Sequence, residues 1–308
     1  MKKFCLSFFV LLTALVAADR AVGCAMQCVG QHSQDVLAPK LCYISSGVHE
    51  DVILIGASRC HHHYVPSILS DSLKLSVYNA GVGGSNNIFS HFFTLCQILR
   101  QHTPQMVCLE VMPTDFNLQE DPYTALGFFA PLLGCSAEAD SLFRLAGSYW
   151  PYRLSMLYRY NRKASSNLWG LVLNRQKDAD HGYIPLPNPV VFPNQLESEE
   201  PSVQTDPLKM YYLSRFISLC RQRNIMLVFL VSPKFTQVNP AHYQVLKTLA
   251  RQYNIPFFDY HTPGVFHDHP EYFKDTSHLW ADGARRFSEV VAGDLRRYLM
   301  DGTQCLFH

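Results

Sequence analysis

From residue 51 onward the chain alternates short apolar runs with stretches of helical periodicity. Apolar and β-branched runs predict strands at 52–55, 75–78, 106–111, 225–231 and 256–258. Apolar residues at helical spacing predict helices at 61–69, 88–99, 207–223, 241–253 and 281–299. Strands joined by helices form one parallel sheet that is covered on both faces. The sequence therefore predicts an α/β fold, a three-layer α/β/α sandwich with a parallel sheet.

The alternation stops between Asn117 and Thr205, in a stretch rich in Tyr, Phe, Trp and Pro. Such a stretch is too long for a simple loop in a compact domain. We expect a helical insertion at 117–205 inside a domain that spans 49–308, with a linker at 24–48. The chain is 48% hydrophobic and 17% charged, which excludes wholesale disorder.

The N-terminus predicts export. Two lysines at 2–3 precede an apolar run at 4–18, and a charged pair at 19–20 ends it. A run of this length fits a signal peptide, residues 1–23, better than a full membrane span. The segment either stays as an N-terminal membrane anchor or is cleaved before Cys24. The charged pair and the lack of a small-residue cleavage site favour the anchor, so we expect an extracytoplasmic, membrane-anchored protein of the periplasm or cell envelope.

The charge and the positions of the histidines do not favour nucleic-acid binding or a metal site. The formal net charge of +1 gives no reason to expect a nucleic-acid partner. The three histidines at 61–63 point in different directions on a helix and are poor joint ligands. His261, His267 and His269 fit a loop or rim better than a ligand set. We therefore expect no metal and no cofactor.

Ser58 is the candidate nucleophile, in the sequence Gly56-Ala57-Ser58 directly after the first predicted strand. A serine on a strand-to-helix turn projects its hydroxyl above the sheet, and its N–H at a helix start favours a developing oxyanion. Small residues also fill ordinary tight turns, so this signal is weak when it stands alone.

Two further segments follow the ends of predicted strands or precede the last helix. Asp275 and His278 are three residues apart, a spacing that lets the carboxylate orient the imidazole as a general base. The glycine-rich segment 79–84 lets a backbone N–H approach a substrate closely. Three complementary parts at such positions predict one reactive site.

The order of four segments resembles the four blocks of the SGNH (GDSL-like) hydrolase superfamily. They are Gly56-Ala57-Ser58, Asn79-Ala80-Gly81-Val82-Gly83-Gly84, Val111-Met112-Pro113-Thr114-Asp115 and Asp275-Thr276-Ser277-His278. Residues 56–66 further resemble a membrane-anchored branch from gut Bacteroidota-type bacteria. The resemblance implies a flavodoxin-like sheet and a triad of Ser58, Asp275 and His278. It also implies that Ser58, Gly84 and Thr114 bind the oxyanion, with Thr114 in place of the usual asparagine.

Candidate substrate contacts are Arg59, Asn79, Trp150 and Tyr183. Arg59 either binds a substrate carboxylate or phosphate or pairs with a buried acid, and aromatic faces of the insertion suit sugars. The expected function is a serine esterase that removes O-acyl, in particular O-acetyl, groups from an extracytoplasmic glycan or a small ester through an acyl-enzyme. The alternatives are an O-acyltransferase of a cell-surface glycan and a catalytically silent binding protein of the SGNH fold, for which Thr114 is the main support.

Overall fold

The computed structural model describes residues 1–32, 37–160, 180–189, 193, 195–196, 198, 204–237, 239–262 and 266–301. Its sheet has five parallel strands within these residues, in the order β2-β1-β3-β4-β5. The strands are β1 (Val52–Ile55), β2 (Val77–Asn79), β3 (Met106–Glu110), β4 (Met226–Val231) and β5 (Phe257–Asp259).

Within the described residues the chain forms ten α-helices, and some of them cover the two faces of the sheet. They are α1 (Lys2–His32), α2 (Leu37–Ser46), α3 (Ser58–His63), α4 (Pro66–Leu73), α5 (Ile88–Ile98), α6 (Ala137–Leu145), α7 (Tyr149–Leu154), α8 (Pro207–Gln222), α9 (Gln244–Gln252) and α10 (Ala281–Asp301). Short 3₁₀ segments lie at Pro113–Phe116, Thr124–Leu132, Pro240–Tyr243 and Pro270–Tyr272.

Two apolar cores separate the three layers, which confirms the predicted α/β/α sandwich. One core lies between the sheet and helices α2, α5, α8 and α9, and the other lies between the sheet and helices α4 and α10. Every residue of β1 and β3 is buried, as expected for parallel strands covered on both faces. The strand order reverses direction between β1 and β3, so a crevice opens at their carboxyl ends.

One predicted helix is two helices in the structure. The stretch 61–69 belongs to α3, which already begins at Ser58, and to α4. The break falls at Val65, whose extended backbone (φ −96°, ψ 106°) is the conformation that the following Pro66 imposes. In contrast, α8 begins as predicted, because the side chain of Asp206 accepts a hydrogen bond from the N–H of Leu208.

The two ends of the insertion meet at the sheet. Asn117 and Thr205 form an isolated antiparallel bridge, and the Leu118 N–H donates to the Gln204 carbonyl at 2.8 Å. Residues 161–179 and several residues between 190 and 203 lie outside the described part. The described residues 118–160 contain helical segments, including α6 and α7, and pack on the domain core, where the Phe129 ring lies 5.0 Å from that of Phe93 on α5.

Residues 24–48, predicted as a linker, contain instead the end of α1 and all of α2. Leu41 and Ile44 of α2 are buried in the core beside α5. Lys40 is 3% exposed, and its ammonium donates to the carbonyls of Gly81 (2.5 Å) and Gly182 (2.7 Å). Apolar burial and these hydrogen bonds make α2 a structural part of the domain.

Helix α1 continues through the charged pair at 19–20 that ends the apolar run. Within the described residues, only its segment Lys2–Cys28 is long and apolar enough to cross a bilayer. The most apolar 18-residue window of that segment is not buried by the rest of the chain. By length and composition the helix suits a signal sequence, an anchor or a membrane span.

Candidate active site

Ser58 is the first residue of α3, and two residues separate it from the end of β1. The turn requires Gly56, because a Cβ there would lie 2.6 Å from the Cys60 Cβ and 2.8 Å from the Glu110 Cβ. The first N–H groups of a helix have no partner within it, so a helix that begins at Ser58 can offer that N–H to a ligand. Ser58 itself lines the crevice.

Ser58, His278 and Asp275 form a hydrogen-bonded chain. His278 Nε2 lies 2.9 Å from Ser58 Oγ. His278 Nδ1 lies 3.0 and 3.1 Å from the two carboxylate oxygens of Asp275. A proton on Nδ1 faces the carboxylate, which leaves Nε2 free to accept the Ser58 hydroxyl proton. Residues 220 positions apart in sequence therefore meet in one hydrogen-bonded chain, the arrangement that the predicted nucleophile, base and orienting acid require.

The Asp275 carboxylate is fixed by its own loop. Its Oδ1 atom accepts hydrogen bonds from the backbone N–H groups of Ser277 (2.8 Å) and His278 (2.9 Å). Burial raises the pKa of Asp275, but the hydrogen bonds from His278 and these N–H groups outweigh it and hold the pKa below its ordinary value. The carboxylate is therefore ionised at neutral pH and can stabilise an imidazolium.

Arg59, a predicted substrate contact, pairs mainly with a buried acid. Its side chain is 2% exposed, and its Nη2 lies 3.4 Å from Oε1 of Glu110 at the end of β3. Its Nη1 donates to the Ser232 carbonyl at 3.2 Å, and the Ser232 hydroxyl donates to Glu110 at 2.7 Å. Arg59 lines the crevice, but its guanidinium is held by Glu110 and the Ser232 carbonyl.

His63 joins this network to the loop that carries His278. The backbone N–H of Leu279 donates to His63 Nε2 at 3.0 Å, so His63 Nδ1 carries the proton that faces the Ser232 hydroxyl at 2.9 Å. Burial lowers the pKa of His63 well below its ordinary value, so the ring is neutral. A chain of hydrogen bonds thereby ties the strand ends to the residue after His278.

Ser58 and His278 open into a cavity of ≈ 380 Å³. Its polar lining comes from the loops after β2, β3, β4 and β5 and from the base of the insertion: Asn86, Thr114, Asn117, Thr205, Lys234, His242 and Ser277. Its apolar lining is contributed by Met112, Pro113, Phe116, Met210, Ala241, Tyr243, Val245 and Leu246. The cavity thus offers polar groups near the triad and an apolar wall beside them.

The three predicted oxyanion donors differ in position. Thr114 lines the cavity together with Ser58. Gly84, whose φ of +79° suits glycine, is not among the described lining residues and faces the Phe128 ring. Asn86, two residues later in the same loop, does line the cavity. Sequence inspection missed Asn86, although an amide two residues beyond the glycine-rich turn is a detectable signal.

Three predicted substrate contacts lie away from the cavity. Asn79 is fully buried and donates to the Cys60 carbonyl at 2.7 Å and the Tyr64 carbonyl at 3.0 Å, so it holds β2 to α3. Trp150 is 61% exposed on α7, and Tyr183 is 5% exposed in the core under α10. None of the three is among the lining residues that the structure describes.

The adjacent histidines of α3 make structural contacts. The rings of His61 and His62 stack at 4.6 Å, and His62 Nδ1 lies 2.7 Å from the Ile184 carbonyl. Burial lowers the pKa of His62 to about 4, so this ring is neutral at physiological pH. These contacts hold the returning end of the insertion against the helix that carries Ser58.

No protein-family model matches this sequence, and no curated protein matches it. Two solved structures are similar to the chain. One is from Desulfitobacterium hafniense and is described as a lipolytic protein of the G-D-S-L family; it has 9% identity, a TM-score of 0.41, and coverage of 79% of this chain and 98% of its own. The other is from Bacteroides fragilis and is described as an acylhydrolase; it has 11% identity, a TM-score of 0.39, and coverage of 84% and 95%.

Proposed function

We propose that this chain is a serine esterase with Ser58 as nucleophile, His278 as general base and Asp275 as orienting acid. The observation that carries the proposal is the hydrogen-bonded chain with a 2.9 Å contact from Ser58 Oγ to His278 Nε2 and a 3.0 Å contact from His278 Nδ1 to Asp275. The cavity that opens at this serine supplies room for an ester.

The residues have distinct roles in the proposed reaction. The Ser58 oxygen attacks the ester carbonyl while His278 takes its proton, and the N–H of Ser58 stabilises the oxyanion. His278 then protonates the leaving alcohol, and an acyl-enzyme remains on Ser58. Water, deprotonated by His278, releases the acid. Asp275 holds the imidazole in place and stabilises its charged form.

The proposed substrate is an O-acyl, in particular O-acetyl, group on an extracytoplasmic glycan. Polar cavity residues such as Asn86, Asn117 and Thr205 suit sugar hydroxyls, and the apolar wall suits an acyl group. Helix α1 supports a location outside the cytoplasm. If a hydroxyl of a cell-surface glycan reacted with the acyl-enzyme in place of water, the protein would be an O-acyltransferase.

We also propose that α1 is retained as a membrane anchor. Asp19, Arg20 and Gly23 all contact residues 154–157 of the insertion, and Gly23 packs so closely on Met156 that a Cβ at position 23 would clash with its side chain. Cleavage before Cys24 would remove all three contacts. Their presence supports the retained helix over the cleaved signal.

Covalent labelling tests the proposed nucleophile. The detergent-solubilised full chain should react with a fluorophosphonate probe, and the Ser58→Ala variant should not, because the probe needs an activated serine. The same pair of proteins is then assayed on p-nitrophenyl acetate and acetylated xylan, with and without a soluble glycan acceptor. Equal labelling of both proteins would contradict the assignment, and acyl transfer to the acceptor would identify a transferase.

A further inference from the structure

Helix α7 and the residues after it expose four large apolar side chains within residues 150–158. Trp150 is 61% exposed, Leu154 66%, Leu157 46% and Tyr158 48%, and no residue of α7 is buried. Trp150 and Leu154 are four residues apart and share one side of the helix. Outside this stretch and α1, the exposed large apolar side chains of the described chain are spread singly. Clustered apolar exposure marks a surface that meets a partner; we name these four residues the 150–158 patch.

The patch is fixed to the end of the apolar run of α1. The Asp19 carboxylate accepts hydrogen bonds from the Ser155 hydroxyl (2.6 Å) and from the next two backbone N–H groups (2.9 and 3.1 Å). Arg20 Nη2 donates to the Leu154 carbonyl at 2.8 Å. Two consecutive residues of α1 therefore hold the end of α7 and the start of the next helical turn.

This attachment sets the height of the patch relative to a bilayer. From Lys2 to Asp19 an α-helix rises about 26 Å, at 1.5 Å per residue. The hydrocarbon core of a bilayer is about 30 Å thick. With Lys2 and Lys3 at the cytoplasmic face, Asp19 lies at the opposite interface, and the patch lies at the same level.

The chemistry of the patch matches that interface. Trp and Tyr are favoured where hydrocarbon meets head groups, because their rings are apolar and their tips are polar. Arg144 and Arg153 are exposed beside the patch, and the Arg144 guanidinium lies 3.6 Å from the Tyr149 ring centroid. Arginine next to exposed apolar side chains suits anionic phospholipid head groups.

We infer that the 150–158 patch binds the outer interface of the same bilayer that α1 crosses, as a second membrane contact of the chain. The inference rests on the proposed anchoring by α1. Helix α7 lies in the interfacial plane, with Trp150 and Leu154 in the lipid. The bilayer covers the apolar side chains that the domain itself leaves exposed.

Tryptophan quenching by brominated lipid tests this contact. The chain has three tryptophans, Trp150, Trp169 and Trp280. The full chain is reconstituted into phosphatidylcholine vesicles that contain a minor fraction of phosphatidylglycerol. The phosphatidylcholine carries bromine atoms on its acyl chains, close to the head group. One variant keeps only Trp150, and a matched control keeps only Trp280, whose indole N–H donates to the Glu271 carbonyl at 2.6 Å. Trp150 should lose most of its fluorescence while Trp280 keeps most of its own; equal quenching of the two overturns the inference.

A substitution that places a charge in the 150–158 patch provides a second test. Leu154→Glu in the Trp150-only chain should reduce quenching to the level of Trp280, since a buried carboxylate in lipid is unfavourable. Leu118→Glu, at a leucine that is 52% exposed elsewhere in the insertion, should leave quenching unchanged. If Leu154→Glu, like Leu118→Glu, leaves the quenching of Trp150 unchanged, the inference is wrong. Vesicle flotation separates the two proposals: a chain that does not float defeats the anchoring by α1, whereas a floating chain with unquenched Trp150 defeats the second contact alone.

Discussion

Thr114 and Asn86 both line the cavity, and we expect one of them to donate to the oxyanion in the proposed reaction. A threonine hydroxyl has a short reach and can rotate toward other acceptors. Loss of one good donor from such a site costs about 10²–10³ in kcat. We expect Thr114→Val to lower kcat/KM on p-nitrophenyl acetate and Thr114→Asn to raise it, because an amide on the same segment donates with longer reach.

Asn86→Ala is the matched variant for this measurement. An unchanged rate for Thr114→Val would remove Thr114 from the oxyanion site, provided that Ser58→Ala abolishes hydrolysis in the same assay. A large loss for Asn86→Ala beside that result would assign the donor role to Asn86. Comparison as kcat/KM is required because this ratio reports lost transition-state stabilisation.

Glu110 is the acid that compensates the buried Arg59. Burial raises the pKa of Glu110, and Arg59, Tyr64 and Ser232 oppose this rise. Glu110→Gln leaves the guanidinium buried without a counter-charge, and breaking a buried pair in this way costs about 3–5 kcal/mol. We expect that loss in the free energy of unfolding, measured with urea.

Glu289→Gln is the control for that substitution, since Glu289 pairs with Arg286 on the surface. Exposed ion pairs contribute little, so the control should unfold like the wild type. If Glu110→Gln and Glu289→Gln have the same free energy of unfolding, the Arg59–Glu110 pair does not stabilise the fold.

At single positions, the sequence predicts which side chains come together better than it predicts which side chains are buried. Ser58, Asp275 and His278 come together as predicted because each lies next to a recognisable strand end or helix start. Asn79 lies in an equally suggestive segment, yet its amide bonds to backbone carbonyls. Whether a polar side chain faces a cavity or the backbone depends on neighbours from distant segments, which spacing does not encode.

At the scale of elements, α2 connects the N-terminal region to the glycine-rich loop through Lys40. Its ammonium donates to the carbonyls of Gly81 and Gly182. Removing a buried donor leaves its partners unsatisfied, at a cost of about 1–3 kcal/mol. We expect Lys40→Met to lower the free energy of unfolding by that amount and to lower kcat, because the loop after β2 loses its support.

Lys74→Met is the matched control, since Lys74 is exposed at the end of α4. The control should retain wild-type stability and activity. Equal stability of the two variants would mean that α2 contributes to the fold only through Leu41, Ile44 and its other apolar contacts.

The strands and core helices can be predicted from the spacing of apolar residues, because burial on one or both faces of an element determines that spacing. Strand β1 has the predicted bounds, and α5 and α8 agree to within one residue at their ends. Helix α2 is missed because only three of its ten residues are buried, which leaves a weak periodic signal. The break before α4 is visible in the sequence as Pro66, whose effect on Val65 is local.

At the scale of the whole molecule, the sheet order follows from general rules on parallel crossovers, whereas the attachment of the insertion does not. Right-handed connections and adjacency of consecutive strands leave few arrangements for this alternation. The contacts of Asp19 with residues 155–157 join segments 136–138 positions apart and have no sequence signature. These contacts attach the insertion to α1, which the aromatic composition of the insertion does not predict.

The same contacts lead to a prediction about the full chain in cells. Lys2 and Lys3 should stay on the cytoplasmic side, since positive residues resist translocation, and the domain should lie outside. We expect the chain in the membrane pellet after carbonate extraction and the domain degraded by protease added from the periplasmic side. An epitope placed before Lys2 should remain on the mature protein and survive that protease, because α1 is retained and its start faces the cytoplasm. Loss of the epitope in untreated cells would show cleavage instead, and recovery of the chain in the cytosol would contradict export altogether.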